Sequence, residues 1–121
     1  MRRAAKIDAN HGEIVDALTK AGCSVESLAS MGGGVPDLLV GRGGVNYLLE
    51  VKDGSKPPSE QKLREDQRKF FQRWRGHRII VESVGDALAA VGLQRNGVAV
   101  SYKLITPVAW SERSIFLGFI A

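Results

Sequence analysis

Two carboxylates and an ammonium group interrupt the most apolar stretch of the chain, GVPDLLVGRGGVNYLLEVKDG, which covers residues 34–54. Short runs of Leu and Val on either side of a glycine-rich turn predict two antiparallel strands. Asp37 begins the first strand, and Glu50 and Lys52 end the second. Because an unpaired charge beside a core is costly, these three side chains are expected to interact with each other or with a ligand.

Strand alternation places the side chains of Glu50 and Lys52 on one face, about 6–7 Å apart along the strand. If the two strands pair, Asp37 comes close to Glu50 across the ladder. Two such carboxylates repel each other, and a hard divalent cation such as Mg²⁺ or Mn²⁺ removes the repulsion. Lys52 would then hold a water beside the ion and neutralise charge on a phosphate. The alternative is a surface Glu-Val-Lys with ordinary cross-strand pairing.

The first element that must position these groups is a helix over residues 8–21, where apolar residues recur at helical spacing and a glycine follows. Asp8 or Asn10 is expected to cap its start. Residues 23–29 fit either a short strand or an irregular crossing. The following triplet of glycines, residues 32–34, is expected to be flexible and to let a ligand approach Asp37.

Further elements are predicted after the hairpin: a helix from about residue 60 to 75, a strand over 78–82 and a helix over 84–91. The order α-β-β-α-β-α indicates an α/β fold, with a small mixed β-sheet flanked by helices. One domain fits a chain of 121 residues. We assign residues 1–92 to its core and residues 93–121 to a C-terminal extension that forms extra strands or a dimerisation segment.

Positive charge is concentrated in one part of the chain, whose net charge is +4. Between residues 62 and 78 only Glu65 and Asp66 oppose seven cations: Lys62, Arg64, Arg68, Lys69, Arg73, Arg75 and Arg78. This excess predicts a nucleic-acid-binding surface, and the alternative is a solvated helix face. Phe70, Phe71 and Trp74 share one face of the same helix, and we expect them in the core rather than stacked on bases.

Cysteine content and hydropathy indicate the cellular compartment in which the protein acts. A single cysteine, Cys23, excludes an internal disulfide framework and favours a cytoplasmic protein in which Cys23 fills a buried position. We expect no signal peptide and no association with membranes.

The motif "PD" at residues 36–37, followed by "EVK" at residues 50–52, resembles the PD-(D/E)XK nuclease superfamily. More narrowly, the chain resembles the virus-type replication-repair nuclease (VRR-NUC) group, which includes small phage proteins. Further matches are Glu13 in HGEIVDAL, the glycine of GGVPDLLV, the Asp-Gly that follows Lys52, and Gln67 in DQRKFFQRW. The resemblance covers about residues 8–90 and implies a restriction-endonuclease-like core.

The resemblance also implies roles for individual residues. Asp37 and Glu50 correspond to the carboxylates that bind Mg²⁺ or Mn²⁺, and the carbonyl of Val51 corresponds to a third ligand. Glu13 corresponds to a helix-borne acid that contacts the metal directly or through water.

Lys52 corresponds to the catalytic lysine, and Gln67 to a glutamine that steadies Lys52 or the attacking water. His11 and His77 lack partners at metal-ligand spacing and are expected to be incidental or phosphate-facing.

The function that the resemblance implies is that of a metal-dependent DNA endonuclease with 5′-phosphate products. Structure-specific cleavage is expected, of four-way (Holliday) junctions or other branched DNA, by a homodimer in a bacterial or phage-infected cell. One alternative is a non-catalytic DNA-binding or packaging accessory protein on the same fold. Another is an interaction protein whose acidic pocket is only structural.

Overall fold

A computed structural model describes residues 9–56 and 62–98. It has an α/β fold, as predicted, with a mixed four-stranded sheet and three helices among these residues. The elements in chain order are α1 (His11–Lys20), β1 (Ser24–Ser27), β2 (Leu38–Arg42), β3 (Val45–Val51), α2 (Glu65–Arg73), β4 (Arg78–Val81) and α3 (Val84–Ala90).

The sheet has the strand order β1-β2-β3-β4. Its first three strands are antiparallel neighbours, and β4 runs parallel to β3. A parallel neighbour requires a crossover, and α2 lies within the connection from β3 to β4. The predicted order lacked β1, and pairing of Ser24–Ser27 with β2 settles that segment as a strand.

Register explains how Asp37 meets the end of β3. Leu38 pairs with Leu49 and Leu39 with Leu48, so the residue before Leu38 falls opposite Glu50. The register follows from the apolar pattern, because a slip of one residue would turn the buried side chains of β2 towards the opposite face.

The core lies between the sheet and the two helices α1 and α3. Its side chains include Ile14, Leu18, Leu38, Val40, Leu49, Val51, Val81, Leu88 and Val91, each at most 4% exposed. The last four residues of β3 are all buried, so both faces of the sheet are covered at this end. Polar groups on that strand are therefore held by protein rather than by solvent.

The helices differ in detail from the predicted ones. Residues 62–64 are not helical and α2 begins at Glu65, after an extended Arg64. Gly22 and Gly92 follow α1 and α3 with φ of 94° and 87°, the left-handed conformation that ends helices. None of the helices among residues 9–56 and 62–98 is long and apolar enough to cross a membrane.

The proposed C-terminal extension begins with a buried residue, Leu93, followed by a turn closed by a hydrogen bond from Gly97 N to Gln94 O. The rest of this extension, residues 99–121, for which extra strands or a dimerisation segment were predicted, lies outside the described part of the chain.

Candidate active site

A buried polar cluster lies at the carboxyl end of β3. Glu50 is 2% exposed, Lys52 is 7% exposed, and Gln67 from α2 is 4% exposed. The Lys52 ammonium is 3.5 Å from Glu50 Oε2, as strand alternation requires of residues two apart. Three polar side chains from two elements therefore meet in a place from which solvent is largely excluded.

Gln67 connects the members of this cluster. Its Nε2 donates to Glu50 Oε2 at 2.8 Å, and its Oε1 accepts from Lys52 Nζ at 3.3 Å. The same Oε1 accepts from the backbone N–H of Arg64 at 2.8 Å. The amide oxygen thus meets two donors and the amide nitrogen meets an acceptor, which fixes the orientation of the Gln67 side chain. These bonds hold the start of α2 against the end of β3.

Asp37 joins the cluster from β2. Its Oδ2 accepts from the backbone N–H of Val51 at 2.9 Å, and its carbonyl accepts from Leu28 N at 2.7 Å. These bonds fix a half-buried carboxylate directly after the buried Pro36. The PD…EVK residues thus form one constellation with Gln67.

Electrostatics sets Glu50 apart from an ordinary carboxylate. Burial, together with the neighbouring charge of Asp37, raises its pKa to about 7 against the opposing effect of Lys52. Glu50 Oε1 is buried and has no hydrogen-bond partner among residues 9–56 and 62–98. A cation bound to this oxygen would stabilise the ionised form of Glu50 and would give the buried oxygen a partner.

The donor set fits a hard divalent ion. It offers the carboxylate oxygens of Asp37 and Glu50 and the backbone carbonyl of Val51, all of which are ligands of the kind Mg²⁺ takes. In the described part of the chain no three His, Cys, Asp or Glu side chains are grouped so as to hold a metal. Because Mg²⁺ commonly uses one or two carboxylates and keeps water or substrate oxygens as its other ligands, a two-carboxylate site is sufficient.

Glu13 occupies a different position from Asp37 and Glu50. It is exposed on α1 and lines a depression of about 500 Å³ whose acidic members are Glu13, Asp53, Glu82 and Asp86. The structure does not group Glu13 with the other two carboxylates as metal ligands. Its role as a metal-contacting acid stays a prediction.

Asn10 is a positioning residue that the sequence did not reveal. It precedes α1 as expected of a cap, yet its side chain makes no capping bond. Instead Nδ2 donates to the carbonyls of Lys52 at 3.2 Å and Glu82 at 2.9 Å. Asn10 thereby joins the ends of β3 and β4 next to the buried cluster, through contacts that no local sequence pattern indicates.

The structure explains the need for glycine at position 34 by conformation and close packing, not by the predicted flexibility. Its φ is +83°, and a Cβ at this position would lie 2.1 Å from the carbonyl oxygen of Asp66 and 2.9 Å from Gln67 N. The glycine loop therefore packs directly on the first turn of α2. This contact helps to set the position from which Gln67 reaches Glu50.

The predicted DNA-binding cations are all exposed. Those near the start of α2 have acidic neighbours: Arg68 and Lys69 lie by Glu65, and Arg64 lies 3.4 Å from Asp66. Lys62 is exposed before α2, and Arg73, Arg75 and Arg78 lie near the helix's other end. Acidic neighbours therefore offset the positive charge least at the carboxyl end of α2, which is the end farther from Gln67 and the buried cluster.

Aromatic residues of α2 divide between two environments. Phe70 is 4% exposed, in agreement with the core assignment. Trp74 is 40% exposed and stacks on Phe70 with ring centroids 5.2 Å apart, so the core assignment is wrong for Trp74. It falls at the C-cap, where the helix ends before the ring can turn inward.

The remaining candidates are two histidines and a cysteine. His11 is buried at the start of α1, and His77 packs its ring against Tyr47 at 5.0 Å. Cys23 is 7% exposed, as expected of a buried filler, and burial raises the pKa of its thiol.

Comparison with family models, with curated proteins and with solved structures finds no match to this chain.

Glu50 makes the stability of the metal-free protein depend on pH. Because its folded pKa, about 7, exceeds the ordinary 4.5, the protonated form favours folding. That stabilisation is complete below pH 4.5 and is lost as pH rises through about 7, a change of about 3 kcal/mol. Urea unfolding in EDTA should therefore show Glu50→Gln more stable than the wild type at pH 8, with the difference falling towards pH 5.

The matched control is Glu26→Gln, which removes an exposed carboxylate on β1. If the free energies of unfolding of Glu50→Gln and the wild type differ by the same amount at pH 5 and pH 8, burial does not raise the pKa of Glu50. The assignment of Glu50 to a buried polar cluster would then be wrong.

Proposed function

We propose that this protein is a metal-dependent endonuclease that hydrolyses phosphodiester bonds in DNA. The observation that supports it is the buried contact of Lys52 with Glu50 and Gln67, next to Asp37. A buried ion pair contributes little to stability compared with apolar residues of similar volume. Perturbed carboxylates and buried lysines are characteristic of catalytic sites, and this combination suits phosphoryl chemistry.

Each residue has a task in this proposal. Asp37, Glu50 and the Val51 carbonyl would hold Mg²⁺ or Mn²⁺, which when bound supplies Lewis acidity and lowers the pKa of coordinated water. Lys52 holds a fixed positive charge that stabilises the additional negative charge of the phosphate in the transition state. Gln67 keeps the Lys52 ammonium in place, so that little reorganisation is required when the reaction occurs.

DNA is the proposed substrate because the exposed cations of residues 62–78 provide a polyanion-binding surface along α2, the helix that carries Gln67, and along the connection to β4. We favour branched DNA, four-way junctions first, since backbone contacts recognise shape rather than sequence. Symmetric cleavage of a junction requires two sites, and a homodimer supplies them. The proposed location is the cytoplasm of a bacterial or phage-infected cell.

A non-catalytic DNA-binding or packaging protein is the second candidate. The exposed cations favour it, because they would bind DNA whether or not the buried cluster is active. Buried carboxylates count against it, since they repel phosphate and give a binding protein no advantage.

The direct test is cleavage of labelled junction, flap, duplex and single-stranded DNA with Mg²⁺, Mn²⁺ or EDTA. We expect cleavage only with metal, strongest on branched DNA, with 5′-phosphate ends. In parallel, Mn²⁺ should raise the Tm of the wild type and of Asp16→Asn, which removes an exposed carboxylate on α1, but not of Asp37→Asn.

The possible failures have different meanings. Metal stabilisation and DNA binding without cleavage of any substrate would favour the non-catalytic candidate. A Tm that is indifferent to both Mg²⁺ and Mn²⁺ would indicate an acidic pocket that is only structural.

A further inference from the structure

A second concave surface lies at the start of β4, whose other end is next to the buried cluster. It is a groove of about 350 Å³ lined by residues 75–79, which connect α2 to β4. His77 from this groove packs on Tyr47, near the start of β3. Arg78 of the groove pairs with Leu48 of β3, which places this part of the groove about 7 Å from Glu50 and about 13 Å from Lys52 along the strand.

The charged residues in the segments next to this groove are all positive. The sequence from 67 to 81 contains five cations and no Asp or Glu, and the sequence from 38 to 48 contains Arg42 and no Asp or Glu. Arg78 is held in place, because its Nε donates to the carbonyl of Phe71 at 2.9 Å. The groove thus joins fixed and exposed positive charge in a place where neither adjoining segment provides an acid.

An exposed aromatic ring borders the same groove. Trp74 stacks on Phe70 with an interplanar angle of 15°, and Arg73 lies over the Phe70 ring at 4.7 Å from its centroid. A Cβ on Gly76 would lie 2.9 Å from the indole nitrogen of Trp74, so the connection to β4 passes close to the ring. The orientation of Trp74 is therefore set from two sides while 40% of the residue remains exposed.

We infer that this groove binds a single strand of DNA, with phosphates at Arg75 and Arg78 and an unpaired base stacked on Trp74. Cationic grooves with exposed aromatic rings bind single strands because every base offers a face for stacking. The identity of the strand rests on the proposed function: it is the continuation of the strand that the buried cluster cleaves.

Binding of a fluorescent single-stranded oligonucleotide, measured by anisotropy in EDTA, tests the groove without cleavage. Lys52→Ala serves as the parent so that no trace of activity interferes. Arg75→Gln should weaken binding about threefold or more and reduce the salt slope by about 0.7. Trp74→Leu, which keeps an apolar contact with Phe70, should weaken it at least about fivefold. The matched control, Lys20→Gln, removes an exposed cation on α1 and should leave affinity unchanged.

Tryptophan fluorescence gives an independent signal. The chain has two tryptophans, so in Trp110→Phe the emission comes from Trp74 alone, and we expect the oligonucleotide to quench it. Unchanged affinity in Arg75→Gln overturns the inference even if Trp74→Leu does not fold. Weakened binding in the groove variants of a protein that never cleaves DNA would keep the groove and remove the nuclease. If the wild type cleaves DNA but the groove variants bind the oligonucleotide normally, the nuclease proposal stands and the groove inference is overturned.

Discussion

Lys52→Ala is expected to lower the rate of metal-dependent DNA cleavage at least about a hundredfold, the usual effect of removing a fixed group that stabilises the transition state. The ammonium of Lys52 is 7% exposed and lies 3.5 Å from Glu50 Oε2 and 3.3 Å from Gln67 Oε1. Water cannot replace a charge held at this depth without reorganisation. The loss should fall on kcat rather than on KM, because the cations of α2 still bind the DNA.

Stability must be separated from catalysis in this experiment. Removing the ammonium leaves Glu50 buried without its cation, and its pKa should rise further because the opposing effect of Lys52 is lost. Lys52→Ala should therefore be less stable than the wild type at pH 8, and the deficit should shrink at pH 5, where Glu50 is protonated. Lys52→Met keeps most of the apolar stem, so it reports the loss of charge with less loss of packing.

Lys20→Ala is the matched control, since it removes an exposed lysine from α1. The decisive measurement is single-turnover cleavage of the junction substrate at saturating protein, together with a melting curve for each variant. Undiminished cleavage by a folded Lys52→Met would remove Lys52 from the mechanism and, with it, the main support for a nuclease.

The sequence was sufficient to predict the centre of the site. Alternation along β3 places Glu50 and Lys52 on one face, and the apolar pattern of both strands fixes the register that brings Asp37 opposite Glu50. These are short-range consequences of strand geometry and burial. Gln67 was assigned to the site by the resemblance, and its spacing from Phe70 agrees with the buried face of α2 on which the structure places both.

Long-range contacts account for what the sequence did not predict. Asn10 looked like a helix cap, but its side chain donates to carbonyls 42 and 72 residues away. β1 has the irregular sequence SVES, and its strand conformation depends on pairing with β2 rather than on its own propensity. Trp74 continued the apolar face of α2, yet the helix ends before it.

Gly34→Ala is expected to have the largest effect on stability outside the core. At φ +83° any side chain costs about 1–2 kcal/mol, and here the new Cβ would also lie 2.1 Å from the backbone oxygen of Asp66. Backbone cannot rotate away as a side chain can, so the first turn of α2 must move, at a further cost of about 1–3 kcal/mol. The two effects together, about 2–5 kcal/mol, should lower Tm by about 8–20 °C.

Gly33→Ala is a closely matched control. Gly33 also has a positive φ, +67°, but its added Cβ would meet no described atom within 4 Å. It should therefore carry only the conformational cost, a fall in Tm of about 4–8 °C. The difference between the two variants measures the contact between the glycine loop and α2, since both make the same chemical change in adjacent residues.

The same pair of variants relates the fold to the site. A displaced first turn of α2 moves Gln67, whose Nε2 and Oε1 hold Glu50 and Lys52 at 2.8 and 3.3 Å. Gly34→Ala should consequently lose cleavage activity well below its own Tm, at temperatures where Gly33→Ala retains it. Equal melting temperatures would show that the loop does not press on α2. Equal activities with unequal melting temperatures would show that the loop stabilises the fold without positioning Gln67, and the arrangement of the cluster would then depend on the β2–β3 register alone.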